Sequence, residues 1–146
     1  MTTASSGDLK AIMTGLRRSP LLSGLSDRQL KRLAHFAKVR DLPKDSFVVK
    51  QGDKGIGFYV VLDGHVQVRK GGTILARLGP GDFFGELALF DKRARSADVV
   101  TLEPTTVVVL SRWEFWGFAG DEPEILRTIL QEMARRLEQT QRVPAS

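Results

Sequence analysis

The chain has no cysteine, which excludes disulfides, thiolate metal sites and cysteine nucleophiles and fits a reducing compartment. It has two histidines, His35 and His65, in different segments. A metal-dependent enzyme on a β-roll needs clustered histidines and carboxylates, so the sequence argues against one. No run of about 18 apolar residues occurs, so no membrane helix is expected. The N-terminal MTTASSGD lacks the basic flank and apolar stretch of a secretory leader. The expectation is a soluble, cytoplasmic protein that is not an enzyme.

What is present suits a single domain. A chain of 146 residues folded as one unit buries roughly 70% of the surface that it would expose unfolded. The formal charge of +5 invites a nucleic-acid reading, because clustered Lys and Arg bind phosphate backbones through counterion release. The basic residues of the first forty positions, such as Lys10, Arg17, Arg28 and Lys31, fit the solvated faces of two helices instead. No direct DNA binding is expected.

Periodicity divides the chain into three parts. From Asp8 to Val39 (8–39) the pattern is helical, with Leu9, Ile12, Met13 and Leu16 on one face and, after Pro20, Leu30, Leu33, Ala34 and Ala37 on another. Ser26 followed by Gln29 reads as a capping box. From Asp41 to Arg112 (41–112), short β-rich runs such as FYVVL, HVQVR and TTVVVL alternate with QGDKG, LDGH, KGG and LGPGD. Nine of the fourteen glycines lie between Gly52 and Gly85, and turns this regular predict an antiparallel β-roll of the jelly-roll type. Val66 and Val68 alternate with His65, Gln67 and Arg69, one face inward and the other toward water. After Trp113 the helical period returns, with a C-terminal helix over 121–141: Asp121 and Glu124 suggest a second capping box, Pro123 sits in the first turn, and Ile125, Leu126, Ile129, Leu130, Met133 and Leu137 form an apolar stripe.

The stretch FFGELALFDKRARSADVV (Phe83–Val100) carries the chemistry. GELAL favours a short helix, and the glycine before it lets a ligand approach the backbone where unpaired N–H groups favour an anion. Arg95 offers a planar fork of donors. Glu86 repels an anion but accepts from a hydroxyl. The pair therefore reads either as a receptor for a sugar phosphate or as a plain Glu86–Arg95 ion pair stabilising the turn.

The run FGELALFDKRARSADV resembles the phosphate-binding cassette of the cyclic nucleotide-binding domain family, which reads approximately F-G-E-(L/I)-(A/G)-L, a short variable insert, then R-(S/A/T)-A. Upstream, QGDKGIGFYVVLDGHVQV is similar to that family's strand, glycine turn, strand signature. QEMARRLEQT resembles the hinge helix of the bacterial catabolite activator branch. The resemblance runs from about Leu16 to Thr140. It implies a β-roll with N-terminal helices, a cassette over 84–99 and a C-terminal hinge or lid helix.

The resemblance also implies roles. Gly85, Leu87 and Ala88 lie along the cassette helix, Glu86 takes the ribose 2′-hydroxyl, Arg95 pairs with the equatorial phosphate oxygens, Ser96 adds a hydroxyl, and Ala97 closes the cassette. Val68, Leu75 and Ala76 are apolar walls or ordinary core, and Arg136 and Thr140 approach the ligand from the last helix. Ala94 stands where eukaryotic members often have proline. Asp98 replaces a threonine or neutral residue, either to cap a turn, to pair with Arg93 or to weaken anion binding.

The implied ligand is cyclic AMP, with cyclic GMP as the alternative. A roll that has lost its ligand and binds a partner is the other reading. The C-terminal helix is expected to contact an effector domain or partner protein, in a monomer or in a homodimer formed through that helix. Activators of the related family continue into a helix-turn-helix, whereas this sequence stops at Ser146; the expectation is a free-standing sensor or the regulatory domain of a longer protein.

Overall fold

The computed structural model describes residues 2–3, 6–19, 22–54, 56–89 and 97–142. Strand β1 (Thr2–Thr3) precedes helix α1 (Ser6–Arg18). The apolar face of α1 forms as expected, with Ile12 and Leu16 fully buried and Leu9 and Met13 packed against the same core. Helix α2 (Asp27–Ala34) opens with the capping box: the Gln29 N–H donates to Ser26 Oγ at 3.2 Å, and the Ser26 N–H donates to Gln29 Oε1 at 2.9 Å. Ser26→Ala removes one acceptor from the helix start and is expected to lower stability by about 1 kcal/mol. A lower urea midpoint at unchanged m-value is the readout; an unchanged midpoint would show that the box contributes nothing.

The first helical segment is shorter than its periodicity predicts. α2 ends at Ala34, and the N–H groups of Phe36 and Ala37 bond back to the carbonyls of Leu33 and Ala34. Residues 38–39, read as helical, belong to strand β2 (Lys38–Leu42). The cause is non-local, because β2 pairs with a strand some seventy residues on, Val39 facing Val108, and such a partner is invisible in a local window. The roll thus begins at Lys38 rather than Asp41.

The remaining strands are β3 (Phe47–Val49), β4 (Gly57–Asp63), β5 (Val66–Lys70), β6 (Thr73–Leu78), β7 (Phe83–Phe84), β8 (Asp98–Thr101) and β9 (Thr105–Ser111). They form two antiparallel sheets, ordered β1-β2-β9-β4-β7 and β3-β8-β5-β6. Between the sheets lie Tyr59, Val61, Val107 and Val109 from the first and Val48, Val66 and Val99 from the second. The alternate residues of the first sheet, Phe58, Val60, Val108 and Leu110, pack on the other side against the helices. FYVVL and VVVL are unbroken apolar runs because β4 and β9 are buried on both faces. The LDGH turn joining β4 to β5 needs glycine: Gly64 has φ +90°, and a Cβ there would lie 2.7 Å from the Pro104 carbonyl oxygen.

Helix α3 (Arg112–Gly120) follows β9 directly, so the helical structure expected after Trp113 is formed, but as a helix of its own ahead of the C-terminal one. Helix α4 (Pro123–Arg142) starts two residues later than the sequence suggests, with Pro123 at its first position. Asp121 does not open α4 in a capping box. It closes α3, its N–H turned to the carbonyls of Phe118 and Ala119. The apolar stripe of α4 divides: Ile125 and Ile129 are fully buried, whereas Leu130 is 64% exposed.

Candidate functional site

The approach to the candidate site is a turn locked from three sides. In LGPGD, the Asp82 carboxylate accepts the Gly79 N–H at 2.8 Å, and the Asp82 N–H donates to the Gly79 carbonyl at 2.9 Å. The Gly81 N–H donates to the Val61 carbonyl at 2.8 Å, and the Val61 N–H donates to that of Asp82 at 2.9 Å. Arg18 from α1 stands 3.7 Å from the same carboxylate. Strand β7 then pairs with β4, placing Phe84 opposite Tyr59 with rings stacked at 4.9 Å and Phe83 beside Phe58 at 5.6 Å.

Gly85 turns the chain out of β7 at φ +78°, a left-handed conformation that glycine adopts without a Cβ penalty. A single turn of 3-10 helix follows over Glu86–Leu89, and the Ala88 N–H donates to the Gly85 carbonyl at 3.0 Å. The short helix expected from GELAL is therefore formed. Its far end is anchored, since Ala88 and Leu89 are buried and Leu89 joins Phe115, Phe118, Ile125 and Ile129 in one core. The Trp116 indole Nε1–H donates to the Leu89 carbonyl at 2.7 Å. Residue-by-residue reading of the sequence missed Trp116; its signal is that an indole N–H set against packed structure needs an acceptor.

The other expected site residues divide between described and undescribed positions. Glu86 and Leu87 lie on the short helix, described as backbone, and Arg95 and Ser96 lie outside the described residues, as do 90–94 of the proposed cassette. Ala97 is half-buried in a bend before β8, and Asp98 already belongs to that strand, so the cassette's last positions are sheet. Val68 on β5 is half-buried against the inner core and faces Ala76 on the edge strand β6. The register shifts beside this pair, because Arg69 faces Ile74, which leaves Leu75 as the extra residue of a bulge. Leu75 is 56% exposed and Ala76 is also exposed, so neither is ordinary core. Arg136 and Thr140 lie along α4, again described as backbone.

Asp98 has a structural task. Its Oδ1 accepts the Gln51 N–H at 2.6 Å, capping the turn after β3. Of the three roles open to it, turn capping is the one formed among the described residues.

The root of α4 is tied to α2 through Arg32. Arg32 of α2 reaches Glu122, which sits between α3 and α4, at 2.7 Å, with its guanidinium 5.6 Å from the Phe118 ring centre. Further along, Arg135 bonds the Glu132 carboxylate through Nε at 3.1 Å and through Nη2, and the hydrogen bonds and charge of Glu132 raise its pKa above the ordinary arginine value. Among the described residues no group of histidines and carboxylates could hold a metal ion, and no helix is long and apolar enough to cross a membrane.

Residues 39–121 match the family model of the cyclic nucleotide-binding domain. The chain is 32% identical over 127 residues to the cyclic AMP receptor protein of Thermus thermophilus, covering 84% of this chain and 59% of that protein. It spans 58% to 59% of the length of the curated bacterial regulators it matches. Among solved structures, the N-terminal domain of a transcriptional regulator from Streptomyces coelicolor A3(2) superposes with a TM-score of 0.84 at 29% identity, over 90% of this chain and 98% of that one. The regulatory domain of Toxoplasma gondii PKA with cAMP gives a TM-score of 0.72 at 26% identity, over 79% of this chain and 46% of that one.

Proposed function

The chain belongs to the cyclic nucleotide-binding domain family, and on that premise we propose that it is a single sensor domain that binds cyclic AMP in its roll and answers by moving α4. The observation that carries the reading is the start of the cassette: Gly85 at φ +78° leads into a one-turn helix, within the segment matched to the family. The proposed ligand contacts are the cassette helix for the phosphate, Arg95 and Ser96 opposite it, Glu86 for the ribose hydroxyl, and Val68, Leu75 and Ala76 for the base and sugar. Support for cyclic AMP comes from the relatives, one named a cyclic AMP receptor protein and one solved with cAMP. The module is regulatory rather than catalytic.

Leu89 at the end of the cassette helix shares a core with Ile125 and Ile129 at the root of α4, which supplies a physical route from ligand to helix. The ligand shifts α4 only by as much as it favours one helix position over another. The moving helix then meets an effector domain, a partner protein or a second copy of the chain.

Arg136 and Thr140 are assigned to the base from the far half of α4. Truncation before Met133 is therefore expected to narrow the preference for cyclic AMP over cyclic GMP while leaving part of the phosphate-dependent binding. A site whose polar groups fit one base edge rejects the other when those groups go unpaired. Calorimetric titration of both nucleotides decides the point; equal discrimination by the truncated and intact proteins would place base reading in the roll.

A further inference from the structure

We propose that Trp116 is a positioning residue for the nucleotide site, its indole N–H fixing the carbonyl at the end of the cassette helix and coupling that helix to α3. The inference rests on the ligand reading above. Carbonyls at a helix C-terminus lack partners within the helix, and that of Leu89 receives the Trp116 N–H at 2.7 Å. The indole is braced from within α3, its ring edge-on to the fully buried Phe115 at 5.7 Å and 85°.

Burial does not explain a tryptophan here, since Trp116 is 41% exposed. A phenylalanine would present a similar apolar edge to Phe115, and what it lacks is the donor. Among the described residues, Leu89 also shares a core with Phe115 and Phe118 of α3, and such apolar packing is non-directional. The hydrogen bond is directional and weakens steeply with misalignment. The helix between the two ends is a single turn, so a ligand that draws in the Glu86 end displaces the Leu89 carbonyl as well. Trp116 is placed to set the resting orientation of the cassette helix and to register its movement.

The chain has two tryptophans, and the other, Trp113, is 64% exposed, so each can be made the sole fluorophore. Trp113→Phe leaves Trp116 as the reporter, and Trp116→Phe keeps a ring while deleting the donor. Titration with cyclic AMP, followed by calorimetry and by tryptophan emission in parallel, is the test. In Trp113→Phe, the Trp116 emission is expected to change with the same midpoint as the heat of binding. In Trp116→Phe, shown to be folded by circular dichroism, affinity is expected to fall about two- to tenfold, the loss of one net hydrogen bond.

Trp116 emission that stays constant while calorimetry shows saturation overturns the proposal. Parental affinity in folded Trp116→Phe does the same. An unaltered protein that gives no heat with cyclic AMP overturns the ligand reading itself, and this inference with it.

Discussion

Replacing Arg95 with alanine is expected to abolish measurable cyclic nucleotide binding in a protein that stays folded. A cyclic phosphate carries one negative charge, and the cassette arginine is the residue assigned to meet its equatorial oxygens with two parallel N–H groups. Removing one partner of a buried, hydrogen-bonded charge pair in an interface costs roughly 2 to 5 kcal/mol, or about 30-fold to several thousand-fold in affinity. Arg95→Lys is expected to recover little, because an ammonium cannot reproduce the planar two-pronged contact. The fold is expected to persist, since most described members of the two cores come from strands and helices outside the cassette, with Phe84, Leu89 and Val99 contributed from within it. Near-parental affinity in a folded alanine variant, measured by calorimetry, would remove the cassette assignment.

The second large effect is on the sugar. An ionised Glu86 that accepts from the ribose 2′-hydroxyl is left unpaired when the ligand is 2′-deoxy cyclic AMP, at a cost of about 1 to 3 kcal/mol, and more for a charged group. The deoxy ligand is therefore expected to bind at least about fivefold more weakly. Glu86→Gln is expected to shrink that ratio, because a neutral amide loses less when its partner is deleted. Competition titrations of the two ligands against both proteins give the four affinities required. Equal binding of the ribo and deoxy ligands to the unaltered protein would take Glu86 out of the pocket, leaving the ion pair with Arg95 as its task.

Features set by neighbours in sequence were readable before the structure. The Ser26–Gln29 box forms because both partners lie within one helical turn, and the short helix of GELAL forms where a glycine precedes it. Val66 and Val68 turn inward as their alternation requires. Features set by distant partners were not readable. Lys38–Leu42 becomes a strand because β9 is there to receive it. Asp98 is drawn to the Gln51 N–H, and Asp121 is used in closing α3. Leu75 and Ala76 looked equally suited to core or wall, and it took the β5–β6 register to show Leu75 in a bulge and both residues exposed. Trp116 escaped notice because its acceptor is a backbone carbonyl 27 positions away, which residue types do not reveal.

The motif that named the ligand class stands apart from the fold. Glu86 and Arg95 are assigned by residue type, spacing and family resemblance. Binding itself is therefore the decisive observable. Calorimetric titration of the intact protein with cyclic AMP, cyclic GMP and 5′-AMP under one set of conditions decides whether the roll is a cyclic nucleotide receptor. Saturable binding of cyclic AMP is expected, with weaker binding of cyclic GMP and little or none of 5′-AMP, whose open phosphate carries a different shape and charge. Absence of cyclic AMP binding, or binding of 5′-AMP as tight as that of cyclic AMP, would contradict that reading.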